Sequence, residues 1–296
     1  MFKSKLIALA AAATALCSPA LAATAPLPDA DPALWVVRDA DTTVYLFGTF
    51  HLLDGKQDWF NDEVKKAFDS SQELVLEAKM PDNPADLQPM VLKYALNPAG
   101  ELSKKLSPDV AAKLAKAVAG LGAPAAAFDK FDPWFAAMTL TAFKFQAMGL
   151  KAEHGPEMVL SAAAKTAGKP VSELEGFETQ FKMFDSMPEA QQLSQLSQTL
   201  DMLPKSEALL ADMLAAWGTG NADRLAAIIN EALASDPKLY DTLMTSRNAS
   251  WADWVAKRLD RPGTVFVAVG TGHLAGKDSV QALLAGRGVK SVRVTQ

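Results

Sequence analysis

Three histidines occur among the 296 residues, and two of them stand in matching surroundings. "YLFGTFHLL" (Tyr45 to Leu53) and "VAVGTGHLAG" (Val267 to Gly276) each run an apolar stretch into Gly-Thr-x-His, so His51 and His273 fall just past two strand ends. Two more apolar stretches end in carboxylates, "ELVLE" at Glu77 and "SELE" at Glu175. In a parallel α/β sheet, functional groups gather at the carboxyl ends of the strands, where loops and helix N-termini form a crevice. Four such strands would deliver two imidazoles and two carboxylates to one rim. That set suits Zn, Mn, Fe or Co, which makes His51, Glu77 and His273 candidate ligands of a divalent metal ion with a position open for water. Glu175 is then a further ligand or a general base. Glu173, on the same strand face, and Glu178, just beyond, compete for that place. His154, in "EHGPE", reads as a loop or capping residue before a helix start.

A further candidate comes from a helix. From Pro237 to Leu259 the apolar residues Leu239, Leu243, Trp251, Val255 and Leu259 recur at helical spacing, and Arg247 falls in their series. A guanidinium on an apolar face requires a carboxylate or an anionic ligand, because an unpaired buried charge is very costly. Arg247, with Asn248 beside it, therefore either closes a structural ion pair or reaches the rim. There it would orient Glu77 or Glu175, or polarise a substrate carbonyl.

The elements that must position these groups read as α/β. At the front, Leu34 to Val37 and Thr43 to Phe47 are strands around an "RDADT" turn; a helix from Asn61 and a strand "ELVLEA" complete β-α-β. At the far end "TVFVAVG", a helix from Asp278 or Ser279, and "VKSVRV" form a second such unit. The expected architecture is a mainly parallel central sheet built from these two βαβ units, with a large helical insertion or lid at about 100–262. Helix starts at Pro108, Pro133, Pro156, Glu189, Ser206, Asn221 and Pro237 fill that insertion, and "KPVSELEG" adds one strand. Trp134 to Met148 is apolar almost all round and reads as a buried core helix.

The first residues belong to none of this. Lys3 and Lys5 precede an apolar run from Leu6 to Leu16 and then "SPALAA", in which Ala20 and Ala22 form a small-x-small cleavage site. Residues 1–22 read as a secretory signal peptide, leaving one domain over 23–296 in the periplasm or outside the cell. The apolar run is well short of the ~20 residues that span a bilayer, so no stable membrane insertion is expected after cleavage. Cys17, the one cysteine, lies inside that segment. Without it there is no disulfide framework, thiolate metal site or cysteine nucleophile. Loss of two lysines leaves 27 basic against 34 acidic residues, a net charge of −7 in place of −5. Such a balance argues against nucleic acid and anionic membrane as partners.

Competing chemistries fail on spacing. "GTGHLAGKD" departs from a phosphate loop, because the interval from Gly270 to Gly276 is one residue too long and Asp278 replaces the magnesium-binding hydroxyl. Gly270, Gly272 and Ala275 fit the loose dinucleotide pattern, but the following strand ends without an acidic residue for a ribose. HExxH, GxSxG and CxxCH are all absent, which counts against standard zinc peptidases, α/β-hydrolases and covalent haem.

The stretches "LWVVRDADTTVYLFGTFHLL", "SSQELVLEA", "AGKPVSELEGFETQ", "TSRN" and "FVAVGTGHLAG" with "LLAGRGVKSVRV" resemble the TraB/GumN family over nearly the whole chain after the signal. That family is related to the Tiki metalloproteases and, more distantly, to erythromycin esterase and haem-binding ChaN-like proteins. The resemblance implies a metal-dependent hydrolase, with peptidase activity best supported in the Tiki branch and a peptide or other small molecule as substrate. It also implies active-site roles for His51, Glu77, Glu175, Arg247, Asn248 and His273. Many relatives carry Gly-x-Asp where this chain has "GPE", which leaves Glu157 without an assigned role. A non-catalytic metal- or haem-binding module using the same cleft is the alternative.

Cleavage after Ala22 should give an exported protein whose N-terminus is Ala23. Intact mass of the periplasmic or secreted species checks this, and a species retaining residues before Ala20 would refute it.

Overall fold

The computed structural model describes residues 26–234 and 236–295, so the expected signal peptide lies outside the described residues. Six strands among them form one sheet: β1 Leu34–Arg38, β2 Thr42–Thr49, β3 Glu73–Leu76, β4 Val171–Glu173, β5 Gly263–Gly270 and β6 Ser291–Arg293. Their order is β4-β3-β5-β2-β1-β6. Neighbours pair in parallel except at β1, which runs antiparallel to both β2 and β6. Asp39 turns β1 into β2, since its carboxylate accepts from the Asp41 and Thr42 amides.

The two expected βαβ units interleave. β5 lies between β2 and β3, the strands of the front unit, while β2 and β1 separate β5 from β6. Strand alternation explains why the sheet is covered on both faces. From one face Phe47, Leu74, Leu76, Phe266 and Ala268 enter a core with Val64, Phe68, Leu160 and Trp217. From the other Val44, Leu46, Val75, Val265, Val267 and Val269 meet Trp251, Val255, Val280 and Leu284.

The helices supplying these residues follow in chain order. Before β4 come α1 Asp62–Ser70, α2 Gln88–Tyr94, α3 Leu102–Lys105, α4 Pro108–Gly120, α5 Pro133–Ala147 and α6 Pro156–Ala167. After it come α7 Phe177–Asp185, α8 Glu189–Met202, α9 Ser206–Gly218, α10 Ala222–Leu233, α11 Pro237–Tyr240 and α12 Ser246–Arg258; α13 Val280–Gly286 joins β5 to β6. Between β3 and β5 the helical segment runs from Pro84 to Arg258, against an expected insertion at about 100–262. Among the described residues no helix is long and apolar enough to cross a membrane.

Two expectations about helices are corrected. The apolar helix α5 is not buried all round: Trp134, Ala136, Ala137 and Leu140 are buried, yet Met138 and Phe143 are 42% and 45% exposed. It packs mainly within a separate helical core with Leu114, Val118, Phe128, Leu196 and Leu200, which covers one side only. The helix from Pro237 is also not uniform. A π-helical segment, Asp241–Thr245, separates α11 from α12. The extra residue in that turn moves the buried series from Leu239 to Met244, then Asn248, Trp251, Ala252 and Val255. Asn248 thereby takes the inward position, with Arg247 at its flank.

Trp217 of α9 is fully buried, and its indole N–H donates to the Gly48 carbonyl of β2 at 2.8 Å. Trp217→Phe removes that donor from a buried carbonyl, so it should cost about 1–3 kcal/mol in urea-induced unfolding. A change near zero would show that the contact does not hold β2 in place.

Candidate active site

The sheet order sets the expected residues side by side. Glu175, Glu77, His273 and His51 follow the carboxyl ends of β4, β3, β5 and β2, which are consecutive neighbours. Arg247 and Asn248 enter from the first turn of α12, immediately after the π-helical segment. All six residues meet at one rim. Gly270 marks its centre, because a Cβ there would lie 3.4 Å from Glu77 Oε2, 3.5 Å from His273 Cδ2 and 3.8 Å from His51 Cε1.

Arg247 is the hub. Its Nε donates to both Glu175 oxygens at 2.9 and 3.1 Å, and Nη2 donates to Glu175 Oε2 at 3.0 Å and to Glu77 Oε1. The structural ion pair and the rim position, read from sequence as alternatives, are the same arrangement. Glu77 also accepts from the Gly270 amide at 3.1 Å and from Gln180 Nε2 at 3.0 Å. Burial alone would raise the Glu77 pKa, but the surrounding positive groups and the amide hydrogen bond outweigh it and hold the carboxyl at about 2. Arg247 is the permanent cation among those groups. Its own pKa is opposed by burial, yet Glu77 and Glu175 raise it further. The guanidinium rests over the Trp251 ring, 4.8 Å from its centroid.

A chain of hydrogen bonds decides the His273 tautomer. Asn248 Nδ2 donates to the Asp278 carbonyl at 2.7 Å, which turns Asn248 Oδ1 towards His273 Nδ1, 2.6 Å away. An amide oxygen only accepts, so Nδ1 carries the proton. His273 Nε2 therefore presents a lone pair, and Arg247 Nη1 donates to it at 3.1 Å. Burial holds this imidazole neutral, with its pKa lowered to about 3.

His51 is in the opposite state. Its side chain is 66% exposed, and Nδ1 donates to Glu157 Oε1 at 2.6 Å. Thr49 Oγ1 donates to the same oxygen at 2.5 Å. The neighbouring Glu157 carboxylate raises the His51 pKa to about 9. Burial works against ionisation of Glu157, but His51 and the hydrogen bonds prevail and lower its pKa. Glu157 also lies in the first turn of α6, where the helix dipole favours a negative charge. Gly155 makes the approach possible, since a Cβ there would fall 2.2 Å from the His51 carbonyl oxygen.

Sequence reasoning named the six rim residues but gave Glu157 and Gln180 no role. The visible signals were the Gly-Pro-Glu helix start for Glu157 and the "GFETQ" stretch for Gln180. The competitors of Glu175 are engaged elsewhere: Glu173 accepts from the Lys79 amide, and Glu178 pairs with Tyr94, Lys93 and Lys182. His154 ends a short 3-10 turn with its ring beside Gly55.

Of the grooves that reach this cluster, two share no lining residue. One of about 520 Å³ meets it at Glu175 and Arg247 and is bordered by Thr179, Ser246, Trp251 and Trp254. The other, of about 540 Å³, opens at His51 and His273 and runs under α5.

A six-stranded, largely parallel α/β sheet with a helical cap and paired Gly-Thr-x-His turns at its rim is the class of protein defined by this fold and site. The chain belongs to the TraB/PrgY/gumN family, whose model matches residues 33–293. It is 30% identical over 254 residues to the uncharacterised protein YbaP of Escherichia coli (strain K12), an alignment covering 86% of this chain and 92% of that one. YbaP of Shigella flexneri matches to the same extent. No solved structure matches the chain.

The neutral His273 has a consequence for stability. Between pH 6.5 and 4.5 the unfolded chain takes up a proton at this position and the folded protein does not, so stability should fall as the pH falls. His273→Gln should lose that part of the slope in thermal unfolding across this window. Glu77 adds its own loss only below about 4.5, as the pH approaches 2. Parallel slopes for wild type and variant between 6.5 and 4.5 would refute a neutral buried imidazole.

Proposed function

We propose that the protein is an exported, metal-dependent hydrolase of peptide bonds, in keeping with its family and its N-terminal segment. The observation that carries this reading is the convergence of His51, His273 and Glu77 around the bare Gly270 backbone. Among the described residues, no group of three His, Cys, Asp or Glu side chains is gathered tightly enough to hold a metal ion, because Arg247 takes both Glu77 and His273 Nε2. The donor chemistry nevertheless fits a divalent cation. Each imidazole has its Nδ1 engaged by an acceptor, which is how ligating histidines are oriented, and Nε2 is left for the ion. Two carboxylates against one guanidinium also leave a net negative charge beside them. Admission of the ion requires Arg247 to release Glu77 and His273 while keeping its two-pronged hold on Glu175.

Bound there, a divalent ion supplies Lewis-acid polarisation of the scissile carbonyl. The chain supplies the rest. Arg247, anchored by Glu175, is placed to stabilise negative charge developing on the carbonyl oxygen. Glu175 can accept a proton from the attacking water once one of its oxygens leaves the guanidinium. Glu157 and Asn248 keep the two imidazoles in fixed orientations, and Gln180 does the same for Glu77.

Elemental analysis and hydrolysis of an unfolded peptide, with Mn, Co and Zn added in turn, test the proposal. His51→Ala or His273→Ala should lose both metal and activity. Glu175→Gln should keep metal while turnover falls by ~10² to 10⁴, and Arg247→Lys should lose activity because an ammonium cannot reproduce the two-pronged contact. Apparent metal affinity should rise with pH up to about 9, since His51 must shed its proton to bind. Full metal retention in both histidine variants would sink this reading. A Soret band in the purified protein would instead favour a haem-binding module.

A further inference from the structure

We propose that the groove beside His51 and His273 is a specificity subsite that takes a large apolar side chain of a peptide substrate, next to the bond to be cleaved. The proposal rests on the hydrolase reading above. It starts from the anomaly of α5, a helix with apolar residues on nearly all sides that leaves Met138 exposed and turns Ala142 and Phe145 to the groove. Met213, Ile229 and Met244 line it from α9, α10 and the π-helical segment. Apart from the two histidines, no lining residue carries a titratable charge. Its volume of about 540 Å³ lies within the range of small-molecule sites. The second groove differs in kind, since Glu175 and Arg247 are part of its wall.

The apolar wall is built onto the turn that carries His273. A Cβ on Gly272 would fall 2.7 Å from Ile229 Cδ1 and 3.2 Å from Met244 Cε. Whatever fills the groove is therefore one residue away from the imidazole. Methionine is unbranched and flexible, so Met138, Met213 and Met244 can close around side chains of different shape. Gln195, also in the lining, has a buried side-chain oxygen with no hydrogen-bond partner among the described residues, an uncharged polar group in a mainly apolar wall.

The test is equilibrium binding of dansyl-Gly-X-Gly amides, with X as Gly, Leu, Phe, Lys or Glu, followed by fluorescence anisotropy of the intact protein. Leu and Phe peptides should bind about 10- to 100-fold more tightly than the Gly peptide, and Lys and Glu peptides should gain nothing. Ala142→Trp, which fills the groove, should abolish the preference for Leu and Phe over Gly. Met138→Lys, at an exposed position that tolerates a charge, should weaken the preference without affecting folding, with circular dichroism as the check. Equal affinity for Gly and Phe peptides, no binding of any peptide, or an undiminished preference in Ala142→Trp would overturn the subsite. An apolar preference without turnover of any of these peptides would uphold the subsite and count against the hydrolase.

Discussion

A guanidinium withdrawn from water and clasped by two carboxylates constrains everything around it. Arg247, Glu77 and Glu175 each keep only 12% of their side-chain surface exposed. Taking such charges out of water is costly, and removing one partner from a buried pair typically costs ~3–5 kcal/mol because the remaining charge is left uncompensated. The ends of β3 and β4 and the start of α12 are therefore tied by one requirement. His273 is drawn into it as the acceptor for the fourth N–H direction of the same guanidinium. The π-helical turn belongs to this requirement too, since it places Asn248 inward and leaves Arg247 beside it facing the carboxylates.

The two histidines show how position alone divides one residue type into two chemical states. Both follow a Gly-Thr-x step, yet one imidazole is closed in by Trp251 and the other stands at the surface against a carboxylate. Burial makes the first neutral, and Glu157 makes the second a cation. A pair poised this way, one lone pair and one proton at a single rim, spans the acid and base sides of neutral pH without any change of sequence motif.

Much of this is legible in the sequence. Short continuous apolar runs marked β2, β3 and β5, and the residues that follow them share a rim because parallel neighbours align their carboxyl ends. Strand order was not legible, since nothing local to Gly263–Gly270 reports that it must pass between β2 and β3. Glu157 was hidden for a similar reason: its sequence context is that of an ordinary acidic first turn, and its partner His51 lies 106 residues away. The π-helical turn also escaped, because a helical apolar period continues through it with a one-residue offset. With α5 the composition was read correctly and the environment was not, since apolar residues all round announce burial whether the neighbour is protein or an open groove.

The interleaved sheet has a consequence for when the rim can exist during synthesis. β2 and β3 have no hydrogen bonds to one another, and the strand that joins them is made after more than four-fifths of the chain. Until Gly263–Gly270 arrives, the front strands have no common ladder, Glu77 lacks the Gly270 amide, and the groove lacks its Thr271–His273 floor. A nascent chain short of that strand therefore has no assembled rim. The rim is completed by one late element, an eight-residue strand that takes its place in the middle of the sheet.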